Sequence, residues 1–474
     1  MKFGTRILAF AAIPVVGLLL FFAAQRYPGL FSNVTLIEGL LLLEIIIMAV
    51  WHYEKWFFVM LMIIFLWAGS ALPFAGSGSA VRWVFLFVGA MAGLVKWAER
   101  NERKHFRAIH LVALLCVLSA VVTATVSKRT EVSLLKSASV FLLFLYASCG
   151  ARVAMAGREG SFFQGLLRAC EIMSYVTAGL YGILRFQAFG NANSLGAIMG
   201  VVVVPVLLWG VLITEDRYVR HRRTLALCLA AFLLYSSVSR AAILACAIAV
   251  TVMCFALRRH ALFIKGAFIV LFLAAGVAVV QPSQFDALVT SFTEDVIYKG
   301  KTEQGLLGSR TSPWQETVDV IRESPWFGSG FGTDLAPSQP SAGGLVFSTA
   351  EGSVREHGNS YLALLEYVGL LGIIPFLVLL GFVLRQIVQG CSRMWRTADP
   401  SPYAVPLVVV CIAGVVHAFF EDWLFAVGYY LNIFFWISVF LLSDLQAERA
   451  TGSLRSAWGK ATAGAGPLPL SAHR

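Results

Sequence analysis

Charge is scarce in this chain. Asp, Glu, Lys and Arg make up 13% of its 474 residues, about half of the roughly 25% found in soluble domains. Hydrophobic residues reach 58%, above the roughly 45–50% typical of soluble proteins. A solvated globular surface is therefore excluded over most of the length. Cysteine pairing is missing as well. Cys116, Cys149, Cys170, Cys228, Cys246, Cys254, Cys391 and Cys411 all lie in or beside apolar runs, and no CxxC pair occurs. A disulfide framework and a zinc site thus have no support. The short alternating segments of a membrane β-barrel are absent. So is an inverted internal repeat of the kind that marks many transporters.

What is present is a series of apolar runs near the roughly 20 residues needed to cross a bilayer. About fourteen are read, near 7–24, 34–50, 56–72, 81–97, 107–126, 133–149, 162–183, 194–213, 224–238, 241–257, 262–281, 358–384, 403–420 and 425–443. Backbone groups in lipid must be satisfied within the segment, so these are expected to be helices. The expected fold class is all-α: a polytopic membrane protein with about fourteen transmembrane helices and one large extracytoplasmic loop containing short helices. Five regions result: N-terminal helices over 1–190, a helical core over 191–281, the loop 282–357, C-terminal helices over 358–444, and a tail 445–474 rich in Ala, Gly, Ser and Pro, expected to be disordered and cytoplasmic.

A net charge of +11 invites a nucleic-acid partner, but its placement argues for orientation instead. Lys96, Arg100, Arg103, Lys104 and Arg107 form one group and Arg217, Arg220, Arg222 and Arg223 the next; Arg258, Arg259 and Lys265, then Arg385, Arg393 and Arg396, come after them. With both termini cytoplasmic, loop parity puts all these groups on one side, as the positive-inside rule asks. The loop 282–357 then falls outside, and no nucleic-acid partner is expected.

Within that loop, Ser312-Pro313-Trp314-Gln315 reads as a capping box, with Pro at the first helical position. Trp314, Val318 and Ile321 repeat at helical spacing. Ser324-Pro325 is expected to end that helix, and Gly328-Ser329-Gly330-Phe331-Gly332 to form a flexible turn. Arg310 stands just before the expected cap, where its guanidinium and free helix amides can meet one anion. An exposed arginine in a weak ion pair fits the pattern equally well. Arg240 sits between two apolar runs after Ser236-Ser237-Val238-Ser239. An arginine at such a depth costs roughly 2.5 kcal/mol or more and is usually paired or functional; snorkelling to the interface is the plainer account. His357 ends the loop. A lone histidine is more often structural, but an imidazole titrating near pH ~6.5 can also take a proton from an attacking hydroxyl. Two guanidiniums can neutralise a diphosphate leaving group without a metal.

The order Val238-Ser239-Arg240-Ala241-Ala242, Gly308-Ser309-Arg310 with Trp314, Pro325-Trp326-Phe327-Gly328-Ser329-Gly330-Phe331-Gly332, His357-Gly358-Asn359-Ser360-Tyr361-Leu362 and Glu366-Tyr367-Val368-Gly369-Leu370-Leu371-Gly372 resembles the O-antigen ligase/polymerase family. The resemblance covers about residues 190 to 380. One departure is Gly358, which stands between His357 and Asn359, where many members have His directly before Asn. The resemblance implies a bacterial inner-membrane glycosyltransferase with a periplasmic active loop, inverting and metal-independent, with no cofactor. It implies an undecaprenyl-diphosphate-linked glycan donor, bound at its diphosphate by Arg240 and Arg310. His357 would activate the acceptor hydroxyl. The acceptor is a second lipid-linked glycan in a polymerase, or lipid A-core in a ligase; polymerase is the reading favoured here. Asn193 and Asn359, near the outer ends of spans, are candidate sugar or phosphate contacts, though a helix cap accounts for Asn193 equally well. Arg185 is a candidate third phosphate contact or an interfacial anchor. Glu366 matches the family's acidic position and reads as a packing or arginine-pairing residue. Arg168 and Glu171, three apart in one span, read as structural glue. A transporter of polysaccharide lipid is the alternative from another class.

Overall fold

The computed structural model describes residues 54–70, 75–99, 106–184, 189–261, 264–266, 308–333 and 357–464, with single positions at 268, 272, 275, 279, 280 and 290. The chain divides into two compact units, Met1–Phe57 and Phe58–Arg474. Only residues 54–57 of the first are described; the second holds the helical bundle.

The described residues are helical, with one isolated bridge between Val427 and Tyr429. In chain order the helices are α1 (Glu54–Ala68), α2 (Ala75–Glu99), α3 (Ala108–Ala124), α4 (Thr130–Met155), α5 (Glu159–Leu184), α6 (Ala192–Ile213), α7 (Arg217–Ser236), α8 (Arg240–Ala256), α9 (Gly308–Glu323), α10 (Ser360–Gly372), α11 (Ile374–Thr397), α12 (Ala404–His417) and α13 (Tyr430–Gly464). Five of them, α2, α4, α6, α11 and the Tyr430–Ala447 part of α13, carry stretches long and apolar enough to cross a membrane. The all-α membrane class therefore holds, while the expected spans at 7–24 and 34–50, and most of 262–281, lie outside the described residues.

Burial sorts the helices into centre and rim. Ala192–Ile213 is 78% buried and Tyr430–Ala447 94%, whereas Ile374–Thr397 is 33% buried. On α11 the outward side chains Leu377, Val378, Leu384 and Val388 are apolar, the pattern of a helix facing lipid rather than water. Helices approach closely at small residues, as membrane packing requires. A Cβ on Gly93 of α2 would lie 2.5 Å from the Cα of Gly150 in α4. Gly150 closes a π-helical turn, Tyr146–Gly150.

Several buried charges are paired. Arg152 meets Asp444 at 2.7 Å, both sealed from solvent. Glu171 does not pair with Arg168, which is exposed. It is held instead by Arg222 at 2.7 Å and Arg223 at 3.0 Å. The reason is helical phase: Glu171 points inward, where α7 supplies two guanidiniums. These arginines belong to a helix rather than a loop, because Asp216 caps α7 by accepting from the amide of Val219 at 2.9 Å.

Two further expectations need correction. The span 358–384 is not one helix: α10 is broken at Gly369 (φ 64°, ψ −176°), and α11 starts at Ile374. The turn at 328–332 is not flexible: residues 328–333 are all buried. Both have one cause. The amides of Ser329 and Gly330 donate to the carbonyls of Glu366 and Tyr367 (2.8 and 3.1 Å), and the amides of Leu370 and Leu371 donate to Pro325 and Trp326 (2.8 and 3.1 Å). The turn and the helix break satisfy each other's free backbone groups, as buried polar groups must. A Cβ on Gly369 would stand 2.5 Å from the backbone of Trp326, so the interlock requires glycine there. On its far side the turn docks on α4. Ser133 donates to the carbonyl of Phe331 at 2.8 Å, Lys136 donates to that of Gly332, and Ser127 and Thr333 share a hydroxyl bond of 2.7 Å.

Candidate functional site

The site is built at the end of the bundle where α7 turns into α8. Ser237, Val238 and Ser239 make that turn, and Val238 is held at φ 50°, a left-handed conformation that a β-branched residue rarely adopts. The turn presses on α6: a Cβ on Gly196 would lie 2.5 Å from that of Ser239. Arg240 is thereby fixed as the first residue of α8, within electrostatic reach of Arg310.

Arg310 comes from the loop segment. It lies inside the first turn of α9 rather than before a cap at Ser312, because the helix begins at Gly308 and runs through Pro313. Ser312 donates its hydroxyl to Glu316 at 3.0 Å instead of capping. The helix amides at Ser312 therefore do not form the anion site expected from the sequence. The helix does end at Glu323, directly before Ser324-Pro325. Arg310 Nη2 pairs with Glu421 Oε1 at 2.6 Å.

His357 is wholly buried, at 0% exposure, not open at a loop end. Its Nδ1 lies 3.3 Å from Asp422 Oδ2, and its Nε2 lies 3.2 Å from Glu366 Oε2. Its backbone amide donates to the same Asp422 oxygen at 3.3 Å. Glu366 thus meets the imidazole of His357. Burial alone would push the Asp422 carboxyl up, but the bonds and charge of His357 outweigh it and hold Asp422 below the ordinary carboxylate value. The inserted Gly358 has a structural use. At φ 61° it carries its backbone under Arg310, and a Cβ there would lie 2.8 Å from Nη1. The indole of Trp314 donates to the Gly358 carbonyl at 3.2 Å.

The remaining sequence candidates separate. Asn359 caps α10, accepting from the amides of Tyr361 (2.9 Å) and Leu362 (3.1 Å). Its side-chain oxygen is spent on structure. Asn193 lies half-buried in the first turn of α6, where Asn191 is the cap, accepting from the amide of Ser194 at 2.7 Å. Arg185 lies outside the described residues.

Sequence reasoning missed the segment between α12 and α13. It supplies Glu421 to Arg310 and Asp422 to His357. It also supplies Trp423, whose indole donates to Nδ1 of the buried His417 at 2.7 Å and so places that ring's proton on Nε2. Ser360 pins the segment. Its amide donates to the Ala418 carbonyl (2.9 Å), its hydroxyl donates to the Glu421 carbonyl (2.6 Å), and the Leu424 amide donates back to it (3.1 Å). Two adjacent acids in a short connection between apolar runs were a usable signal, since charge is rare at such positions. A cavity of about 230 Å³ lies elsewhere, lined by Trp97, Phe106, His110, Phe144, Arg152 and Phe440.

Arg240, Arg310 and His357 therefore gather at one end of the bundle, together with three carboxylates. Such a set can neutralise an anion and relay a proton. No curated protein matches the chain significantly. Residues 225–377 match the family model described as O-antigen ligase, a stretch that holds Arg240, Arg310, His357 and Glu366 but stops short of Glu421 and Asp422. Over this stretch the chain, a membrane protein by its apolar helices, is similar to the O-antigen ligase family.

Proposed function

We propose that the protein is an extracytoplasmic, metal-independent inverting glycosyltransferase that joins undecaprenyl-diphosphate-linked oligosaccharide units into a surface polysaccharide. The observation that carries this reading is the meeting of two arginines with a carboxylate-held histidine inside the family-matched stretch. The acceptor hydroxyl oxygen attacks the anomeric carbon opposite the diphosphate, and the bond from that carbon to the phosphate oxygen breaks. The electron pair leaves with the lipid diphosphate, whose charge Arg310 and Arg240 neutralise. The hydroxyl proton passes to the His357–Asp422 pair. Asp422, with 28% of its side chain exposed, is the member that reaches the surface. Glu366 closes the other side of the imidazole.

An inner-membrane location, with the site outside and both termini inside, is supported by charge. Helix α7 starts in Arg217–Arg223 and ends at the turn to Arg240. Its 20 residues span about 30 Å, close to the thickness of a bilayer core. The basic groups and the site thus occupy opposite ends. A ligase acting on lipid A-core is the second reading, favoured by the description of the matching family.

The test is a reconstituted transfer assay with undecaprenyl-diphosphate oligosaccharide, for the unaltered protein, His357→Ala and Arg240→Lys. A ladder from donor alone supports polymerase, and one product that needs lipid A-core supports ligase. His357→Ala should abolish transfer while still inserting; full activity there would sink the role given to His357. Arg240→Lys should lose about tenfold or more, because ammonium cannot fork onto a diphosphate.

A further inference from the structure

We propose that Glu421 is an internal competitor for Arg310, occupying the diphosphate position and setting the affinity for the lipid-linked donor. The inference rests on the reading of Arg310 as a diphosphate contact. A guanidinium takes carboxylate and phosphate oxygens with the same fork, so the two ligands are alternatives. Glu421 Oε1 lies 2.6 Å from Arg310 Nη2, where a phosphate oxygen would have to sit.

The shared position makes displacement necessary: the carboxylate held on Arg310 Nη2 and an incoming phosphate are both anionic and repel each other at close range, so one gives way to the other. Glu366 and Asp422 are committed to His357. Glu421 is the acid that faces the arginine.

Exposure and tethering say how it gives way. The Arg310–Glu421 pair is 13% and 16% exposed, at the rim, whereas the structural pair Arg152–Asp444 is 4% and 2% exposed. The rim pair is open to exchange and the sealed pair is not. Ser360 holds the Glu421 carbonyl at 2.6 Å, so the backbone stays in place and only the side chain has to rotate. The neighbouring Asp422 then keeps its hold on His357 while the donor binds. Outside the family-matched stretch, this residue can differ between chains and tune donor affinity without altering the arginines.

The experiment titrates farnesyl diphosphate into detergent-solubilised full-length protein and reads binding by calorimetry, for the unaltered chain, Glu421→Gln and Arg310→Ala. Gln keeps the shape and removes the charge, so binding should tighten about two- to fivefold, the worth of a partly exposed ion pair. A merely structural role predicts the opposite sign. Unchanged or weaker binding by a folded Glu421→Gln overturns the proposal. Should that variant fail to fold, Glu421→Asp, which withdraws the carboxylate by one methylene, must tighten binding in the same direction; no tightening there overturns it equally. Arg310→Ala separates the two readings. If it binds like the unaltered chain, Arg310 is not the diphosphate contact and the function itself is misread. If it loses binding and neither Glu421 variant tightens it, only the competitor role fails.

Discussion

His357 lies between Asp422 and Glu366, with Nδ1 hydrogen-bonded to Asp422 at 3.3 Å and Nε2 3.2 Å from a Glu366 oxygen. Asp422 carries a testable consequence. Its pKa is lowered on folding, so the unfolded chain binds the extra proton and the bond stabilises the fold at higher pH. That stability is fully present above the ordinary carboxylate value of about 3.9 and is lost as pH falls through the lowered one. Asp422→Asn should therefore lower the melting temperature near pH 7, and the difference from the unaltered protein should shrink as pH falls below the ordinary carboxylate value. A difference that persists unchanged at low pH would mean that the carboxylate charge is not what holds His357. At this scale the sequence showed which residue types could do the chemistry. It did not show that His357 is buried, nor that two acids far along the chain reach back to it and to Arg310, because those contacts span 65 and 111 residues.

At the scale of elements, the glycine turn 328–332 and the break at Gly369 form one object. Four backbone hydrogen bonds join them, and Gly328 and Gly369 both sit at positive φ with no room for a side chain. Gly369→Ala should cost about 2–4 kcal/mol, combining a left-handed backbone penalty with overpacking. The readout is the melting temperature in detergent, and an unchanged value would show that the interlock relaxes freely. The sequence showed two glycine-bearing motifs at separate places, one read as a flexible turn and the other as part of a continuous span. Periodicity could not tell that they interlock, since it reports which faces are apolar and not which backbone groups lack partners. The helix start at Gly308 was missed for a similar reason. Pro313 normally marks a first turn, yet it is tolerated inside α9.

At the scale of the whole molecule, the described helices α7 and α8 carry basic groups at one end and the candidate site at the other. The α7 arginines lie at the end of α7 opposite to the turn to Arg240, and Arg258, past the far end of α8 from Arg240, stacks over Trp395 at 5.4 Å. If the basic end is cytoplasmic, alkaline phosphatase fused after Asp295 should be active in cells and the same enzyme fused after Arg396 inactive. The reverse pattern would invert the proposed orientation and remove the site from the side where a lipid-linked glycan is polymerised.

Composition and hydropathy alone determined that this is a helical membrane protein, because a backbone in lipid has few ways to satisfy its hydrogen bonds. The order of short motifs pointed to the family whose model residues 225–377 match. Only the tertiary structure decided which charges meet. Helix ends bring Arg240, Arg310, His357, Glu421 and Asp422 together from four separate segments, and buried charges accept only partners at close range and good geometry. Sequence distance carries no information about that choice, whereas the turn at Val238, the glycine under Arg310 and the hydroxyl of Ser360 do.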